Sequence, residues 1–256
     1  MSTLYIVATP IGNLEDITLR ALHTLKQVDF ILCEDTRITK KLLAHYEIKT
    51  PCISYNQHSD LRKQEYILQL LKQGKNLVLV TDAGTPGISD PGNKLIRAIC
   101  DSPLAICITP IPGPCALTAA LSISGFPTDR FVFMGFPPHK KRRKEFFQRI
   151  AACENTIVFY ESTHRIIKTL EELGAALQCH SEPPTGGEES LRVTLRDPSS
   201  PPKADSQDDK KEKHLVLCRE LTKKFETVYR GTVNEVLEQL KSDTIKGEFV
   251  VIVEQK

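Results

Sequence analysis

Apolar positions along this chain follow two rhythms. Short aliphatic and β-branched runs at 4–8, 30–33, 52–55, 76–80 and 104–109 are continuous rather than alternating, which predicts strands buried on both faces of a parallel sheet. Between them apolar residues return at helical spacing. Ile17, Ala21, Leu22 and Leu25 do so after the first run, 38–46 after the second, Tyr66, Leu70 and Leu71 after the third, and 94–99 after the fourth. Ser59 is placed to cap the third helix and Gly74 to end it. A helix at 115–124 follows the fifth run, so residues 1–125 read as an α/β domain.

Gly125-Phe126-Pro127-Thr128-Asp129 reads as a linker to a second α/β domain over 126–256. There the pattern predicts a strand at 131–136, a helix from 140 to about 152, a strand at 156–160 and a helix to about 177. Strands at 214–218, 226–230 and 249–253 follow, with a helix at 233–240. Residues 178–213 break this pattern, holding five of the sixteen prolines, six basic and eight acidic residues and few large apolar ones. Such composition cannot bury enough surface to order itself, and a disordered insertion is expected, with 191–195 as at most a transient strand.

The connection that stands out is Thr81-Asp82-Ala83-Gly84-Thr85-Pro86-Gly87-Ile88-Ser89-Asp90-Pro91-Gly92. Strand-to-helix connections usually take about two to six residues, and much longer ones tend to be functional. Gly84, Gly87 and Gly92 allow close approach of backbone to a ligand, while Pro86 and Pro91 stiffen the path. In an open parallel sheet the loops at the carboxyl ends of strands line the ligand crevice. Polar groups gather at the other strand ends too, at 9–16, Glu34-Asp35-Thr36-Arg37, 111–114 and 161–165.

Composition narrows the chemistry. A net charge of +2 means that nucleic-acid affinity would have to come from a local patch. Lys140-Lys141-Arg142-Arg143-Lys144 is such a run, and a solvated helix start is its plainer reading. The eight cysteines form no C-x-x-C pair and several sit in apolar runs, so reduced thiols in a cytoplasmic protein are expected rather than disulfides or zinc. No secretory pattern opens the sequence, and no apolar run reaches the roughly 18 residues of a membrane span. The chain lacks G-x-G-x-x-G after its first strand, the P-loop pattern and H-E-x-x-H, and Ser124 and Ser162 lack the glycines of a nucleophile elbow. Nicotinamide, nucleoside-triphosphate and metal chemistry are therefore disfavoured, and no metal site is expected.

Eight motifs occur in order: Thr9-Pro10-Ile11-Gly12-Asn13-Leu14-Glu15-Asp16-Ile17-Thr18, Glu34-Asp35-Thr36-Arg37, Asp82-Ala83-Gly84-Thr85-Pro86 with Ile88-Ser89-Asp90-Pro91-Gly92, Ile111-Pro112-Gly113-Pro114, Phe159-Tyr160-Glu161-Ser162, His164-Arg165, Arg219-Glu220-Leu221-Thr222-Lys223 and Lys246-Gly247-Glu248-Phe249. In these the chain closely resembles the bacterial 16S rRNA cytidine 2′-O-methyltransferases of the tetrapyrrole methylase superfamily. The resemblance covers nearly everything except 178–213, which is longer than the short connection usual there. It implies S-adenosyl-L-methionine as methyl donor, two α/β domains of the class III methyltransferase type with the cofactor in the cleft between them, and a homodimer. The implied substrate is a cytidine in the decoding region of 16S rRNA within the small ribosomal subunit, with neither membrane nor DNA as partner.

The resemblance places the cofactor against Pro10, Gly12 and Asn13; Asp82, Ala83, Gly84, Thr85 and Ile88; Pro112, Gly113, Pro114, Ala116 and Leu117; and Tyr160 and Gly247. Backbone N–H groups of a glycine-rich loop suit the methionyl carboxylate, and Ile88 and Leu117 are apolar partners for adenine. A ribose hydroxyl is a weak nucleophile that a general base would assist. Glu34, Asp35, Glu161 and Glu220 are the candidates, each equally readable as an ion-pair partner or cap. Arg37, Arg165 and Lys223 are placed to orient a phosphate, Lys140, Lys141, Arg142, Arg143 and Lys144 to grip RNA backbone, and Tyr160 and His164 to stack on an extruded base or fill the core. Two rivals stand beside this reading. One is a small-molecule, tetrapyrrole-type methylase, disfavoured because the 9–16 loop holds only Gly12. The other is a non-catalytic cofactor- or RNA-binding module.

Overall fold

The computed structural model describes residues 2–56, 61–181, 213–243 and 245–254, excluding the side chains of 179–181. They fall into two compact units, Met1–Gly125 with Cys218–Val228, and Phe126–Leu217 with Tyr229–Lys256.

The first unit alternates β1 (Thr3–Val7), α1 (Leu19–Gln27), β2 (Phe30–Cys33), α2 (Thr36–His45), β3 (Cys52–Ser54), α3 (Leu61–Lys72), β4 (Leu77–Leu79), α4 (Asn93–Cys100), β5 (Cys107–Ile111) and α5 (Ala116–Ser124). Its sheet runs β3-β2-β4-β1-β5 with every neighbour parallel. Successive strand residues face opposite sides, so the sheet carries two cores. Val7, Ile31 and Val78 pack with Ala21 and Leu25 of α1 and Leu43 of α2. Leu4, Leu32, Leu77 and Leu79 pack with Ile67 and Leu71 of α3 and Leu95 and Ile99 of α4. The neighbours β1 and β4 lead into helices on opposite faces of the sheet, α1 on one and α4 on the other. Neighbouring strands whose connections take opposite faces define the switch point where open α/β sheets bind ligands.

The second unit's sheet runs β6-β7-β10-β8-β9, from β6 (Phe131–Phe133), β7 (Thr156–Ser162), β8 (His214–Arg219), β9 (Thr227–Thr232) and β10 (Glu248–Val253). β6 is parallel to β7, and β7 is antiparallel to β10. Phe146, Phe147 and Ile150 of α6 (Arg143–Ala152), Leu170 and Leu173 of α7 (Ile166–Ser181), and Val236 and Leu240 of α8 (Val233–Lys241) enclose Phe159, Phe249 and Val251. Thr232 and Glu235 close a reciprocal capping box on α8.

Several boundaries differ from the sequence pattern, each for a local reason. α1 starts at Leu19 because Thr18 caps it, accepting from the Ala21 N–H. β5 starts at Cys107 rather than 104, since Ile106 N–H turns back onto Leu104 O. It includes Pro110, tolerable on an edge strand that needs no donor there. β6 stops at Phe133, and Gly135 at φ +64° turns the chain. α6 begins at Arg143, three residues inside the basic run. Tyr66 faces out at 45% exposure, and Ile67 takes the inward position beside Leu70 and Leu71. α7 extends to Ser181, so 178–181 are helix rather than the start of a disordered insertion. The rest of that insertion up to 212, including 191–195, and the capping role of Ser59 lie outside the described residues.

Candidate active site

Three loops meet at the switch point of the first unit. Thr9, just past β1, donates its N–H to Gly84 O at 2.9 Å, and Gly84 N–H returns to Thr9 O at 3.0 Å. Thr9 Oγ1 donates to Thr81 O at 3.2 Å, and Thr85 Oγ1 to Pro114 O at 3.1 Å. Gly113 lies so close to β1 that a Cβ there would stand 3.1 Å from the Ala8 Cβ. Gly84 has φ +81°, a left-handed conformation that β-branched residues adopt only under strain. The positions 9–13, 82–88 and 111–117 are thus tied together by backbone bonds and by two threonine hydroxyls. Ile88 is 38% exposed at the surface of this assembly, whereas Leu117 is buried. Asn13 is spent locally: its Oδ1 accepts from Glu15 N–H, capping a short 3-10 turn at Leu14–Asp16.

Carboxylates gather at the ends of β2 and β4. Asp35 caps α2, accepting from Arg37 N–H at 2.7 Å, and pairs with the Arg37 guanidinium at 2.6 Å. That guanidinium holds the Asp35 carboxyl down at about 2. The Asp82 carboxylate accepts the Asp35 backbone N–H at 3.0 Å, joining the β2 and β4 loops. Burial pushes Glu34 up, with the Asp82 and Asp35 charges adding to it. Burial, with the Asp35 charge, also raises Asp82. Asp90, which the sequence reading passed over, belongs to the same group; burial and the Glu34 charge push it up to about 6. Its signal was its place within the long loop: Gly87 at φ +83° and Gly92 at φ +144° fold the loop back on itself.

A second cluster forms in the first unit around Gly12. Its Cβ position is crowded by Lys223, by Thr222 Oγ1 at 2.8 Å and by Leu221 O at 3.0 Å, so any larger residue would have to displace the 220–226 turn where it crosses the first loop. Asn13 N–H donates to Thr222 Oγ1 at 3.1 Å. Glu220 accepts from Lys223 Nζ at 2.8 Å.

In the second unit Glu161 has a fully buried carboxylate. It accepts from Arg165 at 2.7 Å, from Thr169 Oγ1 at 2.6 Å and from Ser162 N–H at 2.7 Å. Thr169 Oγ1 in turn accepts from Arg143 Nη2 at 2.6 Å, and Arg143 pairs with Glu172 at 2.6 Å. The same two guanidiniums donate to successive carbonyls, Arg165 to Pro137 O and Arg143 to Pro138 O, both at 3.0 Å. They pin the turn that carries Phe136, whose ring meets Tyr160 edge-on at 5.5 Å. Arg143 is therefore buried inside this network, while Lys140, Lys141, Arg142 and Lys144 are exposed. His164 is also exposed. Gly247 accepts from Thr163 Oγ1, next to the β7–β10 pairing in which Val250 lies opposite Tyr160.

The fold is that of a methylase. Residues 3–237 match the family model of tetrapyrrole (corrin/porphyrin) methylases, and the chain belongs to that family. Methyltransferases of this family take their methyl group from S-adenosyl-L-methionine. Among its relatives are proteins named ribosomal RNA small subunit methyltransferase I. That of Haemophilus influenzae is 44% identical over 99% of this chain and 78% of its own length. That of Synechocystis is 42% identical over 99% of this chain and 79% of its own length. Two solved structures share the fold at 16% identity and a TM-score of 0.64. A cobalt precorrin-4 methyltransferase covers 98% of this chain and 94% of its own, and a diphthine synthase 99% and 90%.

Proposed function

We propose that this protein transfers a methyl group from S-adenosyl-L-methionine to the 2′-OH of a cytidine in 16S rRNA, acting on the small ribosomal subunit as a homodimer in the cytoplasm. The observation that carries this reading is the 44% identity, across 99% of the chain, to a protein named for small-subunit rRNA methylation. The residues fit the donor. Gly84 presents backbone at positive φ between the first and third loops, where a Cβ would stand 3.4 Å from Ile11 Cγ2 and 3.8 Å from Pro114 O. Such backbone suits a carboxylate, and the nearby carboxylates suit the donor's cationic groups. When bound, the donor supplies a methyl activated on a sulfonium; the protein's task is to hold the ribose oxygen in line with it and to take its proton.

Among the four base candidates Glu34 suits that task best. Its carboxyl is raised toward the working pH, which favours proton uptake. Asp35 is committed to a cap and an ion pair, Glu161 is sealed inside the second unit, and Glu220 is paired with Lys223. Exposed Phe131 and Val132 on the edge strand β6 support a second copy as partner. The test offers small subunits, free 16S rRNA and a tetrapyrrole precursor, each with labelled donor. Label in the subunits is expected; label in the tetrapyrrole alone overturns the reading.

A further inference from the structure

Beyond the cofactor loops the first unit carries a second recess, of about 590 Å³, that adjoins them through Gly12 and Asn13. His45 lines it from the end of α2, and Lys223 and Lys224 line it from the 220–226 turn. That turn is held stiffly. Glu220 and Thr222 both take left-handed backbone, at φ +50° and +64°, although neither is glycine. Lys223 N–H closes onto Glu220 O at 2.9 Å, Glu226 N–H onto Lys223 O at 3.1 Å, and the Glu226 carboxylate accepts Thr222 N–H at 2.5 Å. At its tip the turn presents Phe225, 65% exposed, with Lys224 Nζ 5.6 Å from the ring centroid. A stiff turn that holds an aromatic face in water beside a basic side chain offers a preformed surface for a planar, anionic partner.

We propose that Phe225 and Lys224 form a stacking platform for single-stranded RNA, with a neighbouring nucleotide seated in the recess beside Gly12 and Asn13. This rests on the rRNA reading given above and names where that substrate is gripped. The chemistry favours RNA over a protein partner on three counts. A flat ring with a cation over it matches a base with its phosphate, and stacking needs no particular sequence. The recess has the volume of a nucleotide-sized ligand and is lined by two lysines, with His45, against one acidic residue, Glu15. It also shares two residues with the loop that leads into the switch point, so RNA lying in it is led toward the reacting centre. Lys223 is engaged by Glu220, which leaves Lys224 as the cation of the tip.

The test is steady-state methylation of purified small subunits with labelled donor, using the full chain and its Phe225→Ala, Phe225→Tyr and Lys224→Gln variants. Stacking is lost by about 5- to 150-fold per base when an aromatic is truncated. Phe225→Ala is accordingly expected to raise KM for the subunit about tenfold or more, with calorimetric affinity for the donor unchanged. Phe225→Tyr should restore KM to within about twofold, since its ring stacks alike. Lys224→Gln should weaken subunit binding and reduce the log–log salt slope by about 0.7. Wild-type activity on subunits with an unaltered KM for Phe225→Ala overturns the platform alone. A Phe225→Ala variant that becomes a monomer by light scattering also overturns it, because the ring would then serve a second copy. Subunits left unlabelled by the wild-type protein overturn the rRNA reading, and this inference with it.

Discussion

Thr9 and Gly84 exchange both of their backbone hydrogen bonds, at 2.9 and 3.0 Å, across a gap of 75 residues. This two-bond bridge joins the loop after β1 to the loop after β4, two strands that are neighbours in the first sheet and lead into helices on its opposite faces. Backbone rather than side chain makes the joint, so it survives most substitutions except those that change φ.

Gly84→Val makes such a change. Its φ of +81° is unfavourable to a β-branched residue, whose Cγ atoms would extend beyond a Cβ already in contact with Ile11. On the folded variant, calorimetry should show donor affinity weakened at least tenfold, about 1.4 kcal/mol. Unchanged affinity would place the donor elsewhere.

Glu34 and Asp35 are adjacent carboxylates in opposite circumstances, one raised by burial and the other held at about 2 by Arg37. Glu34→Gln should lower kcat by about 100-fold or more while donor binding persists, the scale of a lost general base. Asp35→Asn keeps a competent cap and should leave kcat within about tenfold, with loss of the Arg37 pair showing mainly in substrate KM. Single-turnover rates measured on both variants distinguish them, and equal losses of kcat would remove Glu34 from the base role.

The network around Glu161 predicts a stability effect. Breaking a buried ion pair by removing one partner typically costs about 3–5 kcal/mol, because the other charge is stranded. Arg165 is partly exposed at 19%, so Glu161→Ala is expected near the lower end, about 3 kcal/mol by urea denaturation. A cost below about 1 kcal/mol would mean that the pair contributes no more than a surface one.

Much of this site was legible along the chain because glycine and proline mark loops wherever they fall. The loop after β1 and the long 81–92 connection announced themselves in this way, and the polar groups after β2 by the switch from Phe30-Ile31-Leu32-Cys33 to Glu34-Asp35-Thr36-Arg37. Asp90 did not: it is eight residues from Asp82, and only two positive-φ glycines bring its carboxyl into reach of Glu34. Arg143 was hidden for another reason. Within five consecutive basic residues charge looks uniform, but the first helical position of α6 turns this one toward Thr169 and Glu172 on α7. Gly12 likewise gave no sign that its crowding comes from Thr222, more than two hundred residues on.

Asp90 gives stability a pH dependence. Its carboxyl moves from 3.8 up to about 6 on folding, so the folded state holds that proton more tightly than the unfolded chain. The stabilisation is complete below about pH 4 and is lost as pH rises through about 6. Asp90→Asn escapes this loss. Discounting for partial exposure, it should be more stable than wild type by about 1 kcal/mol at pH 7.5, with the difference vanishing near pH 4. Paired melting curves across that range check it; a difference that does not change with pH would remove Asp90 from the carboxylate group.

The most direct measurement is ribose-methylation mapping of 16S rRNA from small subunits incubated with donor, with and without the protein. One cytidine should become resistant to alkaline cleavage on its 3′ side only when the protein is present, and Glu34→Gln should leave that position cleavable. A methyl group found on a base, or no new resistant ribose despite donor turnover, would contradict the proposed chemistry.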